Sequence, residues 1–554
     1  MIFLFRKIKP EDQQIYNEFL KDSCFGSEFC FANVFAWKDV DGLELFHTDE
    51  ILIIKGNYFF FPPLVKGIQY QKALDFIRAY CTKMHFPYVF YGITEDFIPL
   101  LTQDHTIITS HPELDEYLYL ATDLMTYPGK KFHAKRNLLQ QFLKIPHEFK
   151  EYDSSMRDQI IALVNLWNQD AEPTDELSGI LALLDHMGVV ECFCDVILIE
   201  GMVQAFAIGA AHQTMGVVLF EKANTQYPGI YQAIVQFVAQ KEFSTMTYIN
   251  RQEDMGFENL RKSKQSYHPI GFIKKWQLND DDVTQARLIY EMQFADSKEY
   301  IDYFFTKKRL TPHPYIENHL LKSVLYSRPQ CIIFNGHELA SQLVFSLSTH
   351  PHFEHQGCMH RLFNTLLQTW STDTILVTLH PAIRGFYDSF GFGEIDRMAN
   401  LPSDATLEAN ITREEIQAIY ERAKPFYTGV LMRTQTDWDE LFHELEINQG
   451  TVSRVLLEGK EIGYMLHDGE EIIELIVDKK TENRANNLVR ILNLPLLLQV
   501  VHYVPKQTLR IIDPLIAHNN ITIEGKFSTP IVLSIQEFTT LFFQQFKCLC
   551  PARY

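Results

Sequence analysis

A strand, a glycine-bearing turn and a second strand recur along this chain, and that unit constrains its fold more than any other feature. It reads Val196-Ile-Leu-Ile-Glu-Gly201-Met-Val-Gln-Ala-Phe-Ala-Ile-Gly209, then Cys331-Ile-Ile-Phe-Asn-Gly336-His-Glu-Leu-Ala-Ser-Gln-Leu-Val-Phe345. A third copy is Arg454-Val-Leu-Leu-Glu-Gly459-Lys-Glu-Ile-Gly463-Tyr-Met, and a looser one is Glu50-Ile-Leu-Ile-Ile-Lys-Gly56-Asn-Tyr-Phe-Phe-Phe-Pro62. Apolar runs either side of a glycine are the signature of a hairpin. Each copy follows a helical stretch, three precede another helix, and they recur at roughly 120–150 residues. The expectation is a repeated α+β module.

At 554 residues the chain exceeds one hydrophobic core, which predicts about three or four domains. A hydrophobic fraction of 46% with 13% aromatics excludes a disordered chain. The balance of 50 basic against 70 acidic side chains, net −20, argues against coating DNA or anionic lipid, because phosphate binding needs excess Lys and Arg. Polar residues interrupt the greasiest stretch, Leu488 to Val504, so it cannot span a bilayer. The apolar start is too short for a signal peptide, and nine thinly spread cysteines suit a reducing compartment. A soluble cytoplasmic protein without integral membrane association is expected, its oligomeric state open.

Boundaries are read from the acidic run Asn279, Asp280, Asp281, Asp282 and from Leu401-Pro402-Ser403-Asp404. After the second, Thr412 and Glu415 form a capping box before a helical pattern that Pro425 ends. Lys130, Lys131, Lys135 and Arg136 follow a Pro-Gly turn at the start of a helix, a place that favours anions. With Arg251, Arg261 and Lys262 they are the candidates for binding an anion or tRNA. His350, His352, His355 and His360 crowd one loop, but no Cys or carboxylate stands at a zinc spacing, and no metal is expected.

Phe29-Cys-Phe-Ala-Asn33-Val-Phe35-Ala-Trp37-Lys38, Leu124-Met-Thr-Tyr-Pro-Gly129-Lys130-Lys131, Tyr248-Ile-Asn250-Arg251-Gln-Glu253-Asp254 and Leu260-Arg261-Lys262-Ser-Lys264-Gln-Ser-Tyr267-His-Pro269 resemble a bacterial family named for the C-terminal domain of phosphatidylglycerol lysyltransferase. The resemblance implies residues 1–278 as one domain of two GNAT-like halves, about 1–115 and 116–278. In the lysyltransferases such a domain moves an aminoacyl group from tRNA to a lipid headgroup.

Residues 283–400 resemble a GNAT acetyltransferase module. Leu347, Ser348 and Thr349 end a strand, and Gly357, Cys358, Met359, His360 and Arg361 open a helix; the resemblance makes these the coenzyme A cradle. Glu354 and Met359 depart from the family's Arg/Gln-x-x-Gly-x-Gly/Ala loop, and the stretch between Phe345 and His350 reads as short for the family's long strands. Phe386-Tyr387-Asp388-Ser-Phe390-Gly391-Phe392 resembles the family segment whose tyrosine protonates the leaving thiolate, which points to Tyr387 as general acid. Residues 411–554 look like the remainder of an enhanced-intracellular-survival type acetyltransferase. That type implies a base role for the Tyr554 carboxylate.

The division expected is 1–278; a GNAT module at 279–402; a second, degenerate module at 403–504; and a short sterol-carrier-like segment at 505–554. The fold class is α+β, tandem GNAT-like modules with mixed central sheets flanked by helices. The function expected first is transfer of an acyl group from acetyl-CoA or another acyl-CoA to a small-molecule or peptide amine. The alternatives are aminoacyl-tRNA-dependent transfer by the N-terminal domain, and a non-catalytic ligand-binding or scaffold protein.

Overall fold

A computed structural model describes residues 4–20, 26–67, 70–103, 105–168, 176–212, 214–334, 336–381, 383, 385–395, 404–426, 429–468, 471–477, 487–501, 503, 505–525 and 527–544. The fold is mixed α/β throughout. The chain divides into two compact units, Met1–Asp281 and Asp282–Tyr554.

The first unit holds two sheets, and the chain returns from the second to add a strand to the first. One runs from Arg6–Lys7 through Glu44–His47, Ile51–Lys55 and Leu64–Val65, and a parallel bridge between Phe60 and Phe90 brings in Val89–Ile93. Trp276–Asp280 then lies antiparallel between Val89–Ile93 and Thr106–Ser110. The second sheet has the order Gly271–Ile273, Glu116–Leu120, Tyr248–Asn250, Met215–Ala223, Met202–His212, Phe193–Ile199, Glu148–Glu151. Glu116–Leu120 follows the first sheet in sequence but lies in the second, and Trp276–Asp280 does the reverse. Of the two expected halves, about 1–115 and 116–278, only the second therefore lends the other a strand, Trp276–Asp280.

Buried charges pin that return. The Lys275 ammonium, next to Trp276–Asp280, lies 3.1 Å from Glu116 at the start of the strand Glu116–Leu120, and Glu28 contacts it as well. Burial, opposed by Lys275 and reinforced by Glu116, pushes the Glu28 carboxyl up to about 7. Asp280, within the acidic run that reads as a break, is a buried strand residue paired to Arg78 through two bonds of 2.6 Å. The run does close the first unit, but as the last strand of a sheet rather than as a solvated linker.

Three of the four sequence repeats are hairpins. Phe193–Ile199 pairs with Met202–His212, Leu320–Phe334 with His337–Thr349, and Thr451–Leu457 with Lys460–Asp468. Glu200 and Gly201 have φ of 54° and 77°, and Glu458 and Gly459 have 51° and 73°. Two consecutive left-handed residues make the turn whose twist matches antiparallel strands, which is why glycine recurs there. In the fourth repeat Ile51–Lys55 pairs instead with Leu64–Val65, beyond the glycine turn, and the contact across that turn is an isolated bridge from Lys55 to Phe60.

In the second unit the main sheet has the order Thr311–Glu317, Leu320–Phe334, His337–Thr349, Leu376–Leu379, Asn487–Ile491, Gly393–Ile395. The strands before the loop are long, at 15 and 13 residues, where the sequence reads as short. Asn487–Ile491 enters this sheet from beyond the boundaries drawn at 402. Residues between carry a separate sheet of Ala405–Glu408, Thr451–Leu457, Lys460–Asp468 and Glu471–Val477. Helices Arg413–Ala423 and Gln435–Ile447 accompany it, each opened by a capping box, from Thr412/Glu415 and Thr434/Asp437. A small sheet of Gln507–Ile512, Thr522–Ile523 and Phe527–Ser534 follows, with helix Ile535–Gln544 packing Phe538 and Phe542 against Ile491 and Leu494.

Candidate functional site

Each unit contains a pair of parallel strands that start together and then part. In the first, Met215–Val217 pairs with Tyr248–Asn250, with helix Ile230–Lys241 as the crossover. In the second, Ser341–Val344 pairs with Leu376–Leu379 across helix Cys358–Trp370. Beyond the last paired residues the two strands no longer share a ladder.

The split of the first unit is charged. Arg251, one residue past Asn250, donates from Nη2 to Glu221 at 2.9 Å, and both side chains are about nine-tenths buried. The Arg251 guanidinium lies 4.6 Å from the centre of the Tyr267 ring and the Lys135 ammonium 3.6 Å from the same centre. Lys135 also donates to Ser266 Oγ at 2.6 Å. The Tyr267 hydroxyl accepts from Gln232 Nε2 at 3.0 Å, and Tyr127 donates to the Gln232 carbonyl at 2.9 Å, which ties the ring to the first turn of helix Ile230–Lys241. Burial, with the Arg251 charge beside it, pushes Lys135 down to about 8. Lys264 donates to the carbonyls of Arg251, Gln252 and Glu253 at 2.5, 3.1 and 2.6 Å, and burial pushes it down to about 8 as well.

The other basic candidates are not brought into this group. Lys131 pairs with Asp123 at 2.8 Å, and Arg136 holds the carbonyls of Tyr127 and Gly129. Arg261 grips Asp254 at 2.8 and 3.0 Å, Lys262 pairs with Glu258 at 2.6 Å, and Lys130 stands exposed. Glu221, Gln232 and Tyr127 were not legible as site residues, because no local spacing ties a mid-strand glutamate to an arginine 30 positions on.

The split of the second unit is apolar. Leu325, Val344, Met359, Leu362, Phe363, Leu379, Tyr387, Phe390 and Phe392 share one buried cluster. The strand carrying Leu347, Ser348 and Thr349 bends at Ser346, whose φ is 49°, opposite a register shift between Val324 and Tyr326. Ser348 donates to the Val324 carbonyl at 3.3 Å, and Thr349 shares a hydroxyl bond of 2.8 Å with Ser323.

Both departures in the loop are diverted. Gln293 Nε2 donates at 2.7 Å to the Thr349 carbonyl and at 2.7 Å to Glu354, which holds that carboxylate toward helix Asp282–Gln293. Met359 is buried in the apolar cluster, so its bulk lies behind the helix. Gly357, with φ of 75°, opens helix Cys358–Trp370, and no side chain caps it. The first amides of a helix lack intrahelical acceptors and carry the positive end of its dipole. Cys358 is buried. His360 lies 3.0 Å from Ser389 Oγ and stacks on Phe390, while Arg361 donates to Tyr315 OH at 2.8 Å and to the Gln356 carbonyl at 3.1 Å. Gln293 is the residue here that sequence reading missed.

Tyr387 sits in the short turn Phe386–Phe390, buried against Phe386 and Phe392, and its hydroxyl has no hydrogen-bond partner among the described residues. Burial pushes it up to about 12, so it keeps its proton at neutral pH. Tyr554 lies outside the described residues. Among the described residues no group of three or more His, Cys, Asp or Glu is placed to hold a metal ion, and no helix is long and apolar enough to cross a membrane.

Comparison with known proteins follows the two units. The family model described as phosphatidylglycerol lysyltransferase, C-terminal, matches residues 23–279, and that of the acetyltransferase (GNAT) domain matches residues 276–395. A relative, the uncharacterised protein MYCGA3080 of Mycoplasmoides gallisepticum, is 23% identical over 238 residues, covering 39% of this chain and 73% of its own. A conserved protein of unknown function from Bacteroides thetaiotaomicron is 24% identical with a TM-score of 0.47, covering 50% of this chain and 100% of that one. L-PGS from Bacillus licheniformis is 14% identical with a TM-score of 0.39, covering 54% of this chain and 98% of that one. Eis1 from Mycobacterium abscessus is 14% identical with a TM-score of 0.37, covering 47% of this chain and 86% of that one.

Proposed function

We infer that this chain, which joins a phosphatidylglycerol lysyltransferase C-terminal domain to an acetyltransferase (GNAT) domain, transfers an acyl group from acyl-CoA to an amine in the split of its second unit. The observation that carries the reading is Tyr387, whose ring is buried in one cluster with Val344 and Leu379, the last paired residues of the parallel strands, and whose hydroxyl has no hydrogen-bond partner among the described residues. Acyl-CoA supplies an activated thioester carbonyl. The amides that open helix Cys358–Trp370 suit its pyrophosphate, since Glu354 and Met359 are both turned aside. As the amine nitrogen bonds to the carbonyl carbon, the carbon–sulfur bond breaks and Tyr387 gives its proton to the leaving thiolate; the nitrogen sheds one proton to bulk water, and Tyr387 takes one back from it after product leaves. The apolar walls keep water from the thioester, and positioning supplies much of the rate.

The test is calorimetric titration of the whole chain with acetyl-CoA, followed by acetylation of a panel of amines. Wild type is expected to bind in the micromolar range, and Gly357→Glu, which sets a carboxylate at the helix start, is expected to lose binding. Tyr387→Phe is expected to bind normally and to lose about 10²–10⁴-fold in turnover. Absence of binding in wild type sinks the reading.

A second reading, aminoacyl transfer from tRNA by the first unit, is favoured by the domain match over residues 23–279 and by the cations at its split. Salt-sensitive tRNA binding supports it. Absence of both ligands would leave a non-catalytic ligand-binding or scaffold role.

A further inference from the structure

We propose that the charged split of the first unit is a binding site for a compact oxyanion, a carboxylate or phosphate group of a small molecule, held by Arg251 and Lys135 beneath helix Glu258–Gln265. It rests on neither reading of the transfer chemistry, because the binding event itself is what is claimed.

Three observations converge. Arg251 Nη1 is a buried donor without a hydrogen-bond partner, although Nη2 of the same group is bound to Glu221. A buried donor left unmade costs about 1–3 kcal/mol, more on a charged group, so it calls for an acceptor. Second, Lys135 and Arg251 crowd one aromatic ring, and Lys135 has only a neutral partner, Ser266. Glu221 answers one of the two charges, and a second negative group would answer the other. Third, Gln232 ties this ring to the first turn of a 12-residue helix, Ile230–Lys241, whose dipole favours an anion at that end.

The remaining cations of the region are eliminated by their own bonds. Lys264 is engaged by three carbonyls, Arg261 by Asp254 and Lys262 by Glu258. Those same bonds explain access. Helix Glu258–Gln265 has no buried side chain, and it is held through Lys264 and Arg261 rather than by apolar packing. Gly256, with φ of 80°, precedes it, and buried Tyr267 anchors its other end. A helix so attached lifts at small cost in buried apolar area, and through Lys264 it is joined to the backbone of Arg251 itself.

The experiment titrates the full chain with inorganic phosphate and, separately, with acetate, at constant ionic strength and pH 7, followed by calorimetry and hydrogen exchange. Millimolar binding is expected, with exchange slowed in residues 130–142 and 251–267. Lys135→Gln, at a half-buried position, is expected to weaken binding by three- to tenfold. The double variant Glu221→Gln, Arg251→Gln, which removes both buried charges together, is expected to abolish it while melting as one folded unit. Tighter binding of phosphate assigns a phosphate-bearing ligand, and tighter binding of acetate a carboxylate. Equal affinity in wild type and both variants, or no binding of either anion, overturns the proposal.

Discussion

The two units build the same opening and fill it with opposite chemistry. In each, a long strand runs parallel to a short one for three or four residues across a single helix: Met215–Ala223 with Tyr248–Asn250, and His337–Thr349 with Leu376–Leu379. Beyond the short strand comes an antiparallel strand from elsewhere in the chain, Glu116–Leu120 in the first unit and Asn487–Ile491 in the second, then a brief edge strand. The first split receives Arg251, Glu221 and Lys135; the second receives Val344, Leu379 and Tyr387. Topology makes the split, and the side chains decide whether it is charged or apolar.

The contrast breaks most readily at Glu221. Glu221→Ala leaves the Arg251 guanidinium buried without its carboxylate, which should cost about 3–5 kcal/mol in urea unfolding of the first unit. Replacing both members with Leu and Met should recover most of that, because two desolvation penalties vanish with the pair. A cost below about 1 kcal/mol in the single variant would mean the pair is solvated, and the two splits would then not differ in kind.

Titration separates the two next. Lys264 is pushed down to about 8 in the fold from an ordinary value near 10.5. Between those values the unfolded chain binds the extra proton, so stability of the first unit should rise as pH climbs from about 8 to 10.5. Lys264→Met should flatten that rise. An equal rise in the variant would assign it to other groups and remove Lys264 as the charged strut under the Arg251 turn.

How much of this was legible in the sequence depends on the range of the interactions. Hairpins turn on two adjacent residues, so Glu200-Gly201 and Glu458-Gly459 announced themselves, as did the Thr412/Glu415 capping box. The order of strands across the two sheets of the first unit did not. Glu116-Tyr-Leu-Tyr-Leu120 reads as a strand, but its partners are chosen by packing and by Lys275, 159 residues away. Seven basic residues were legible as candidates, and only Lys135 and Arg251 converge, because carboxylates and carbonyls specific to the fold engage four of the others and Lys130 stands exposed. At the loop of the second unit, sequence shows that Glu354 and Met359 replace the family's residues but not where those side chains go.

That loop gives the finest test. Glu354 stands three residues before Gly357 and the amides that open helix Cys358–Trp370, and a negative charge near a helix start weakens that end's pull on a phosphate. Gln293 draws the carboxylate toward its own helix. In Glu354→Gln the amide oxygen can still accept from Gln293, so the loop keeps its shape while the charge is removed. A dipole-scale interaction is about 0.3–1 kcal/mol, so acetyl-CoA affinity should tighten roughly two- to fivefold by calorimetry. A gain of tenfold or more would mean that Glu354 faces the pyrophosphate directly and that the bond to Gln293 does not hold it aside. No gain would place the carboxylate outside the field of the helix start. Either result fixes how far the second split has been kept for an anion, which the first split answers with fixed positive charge instead.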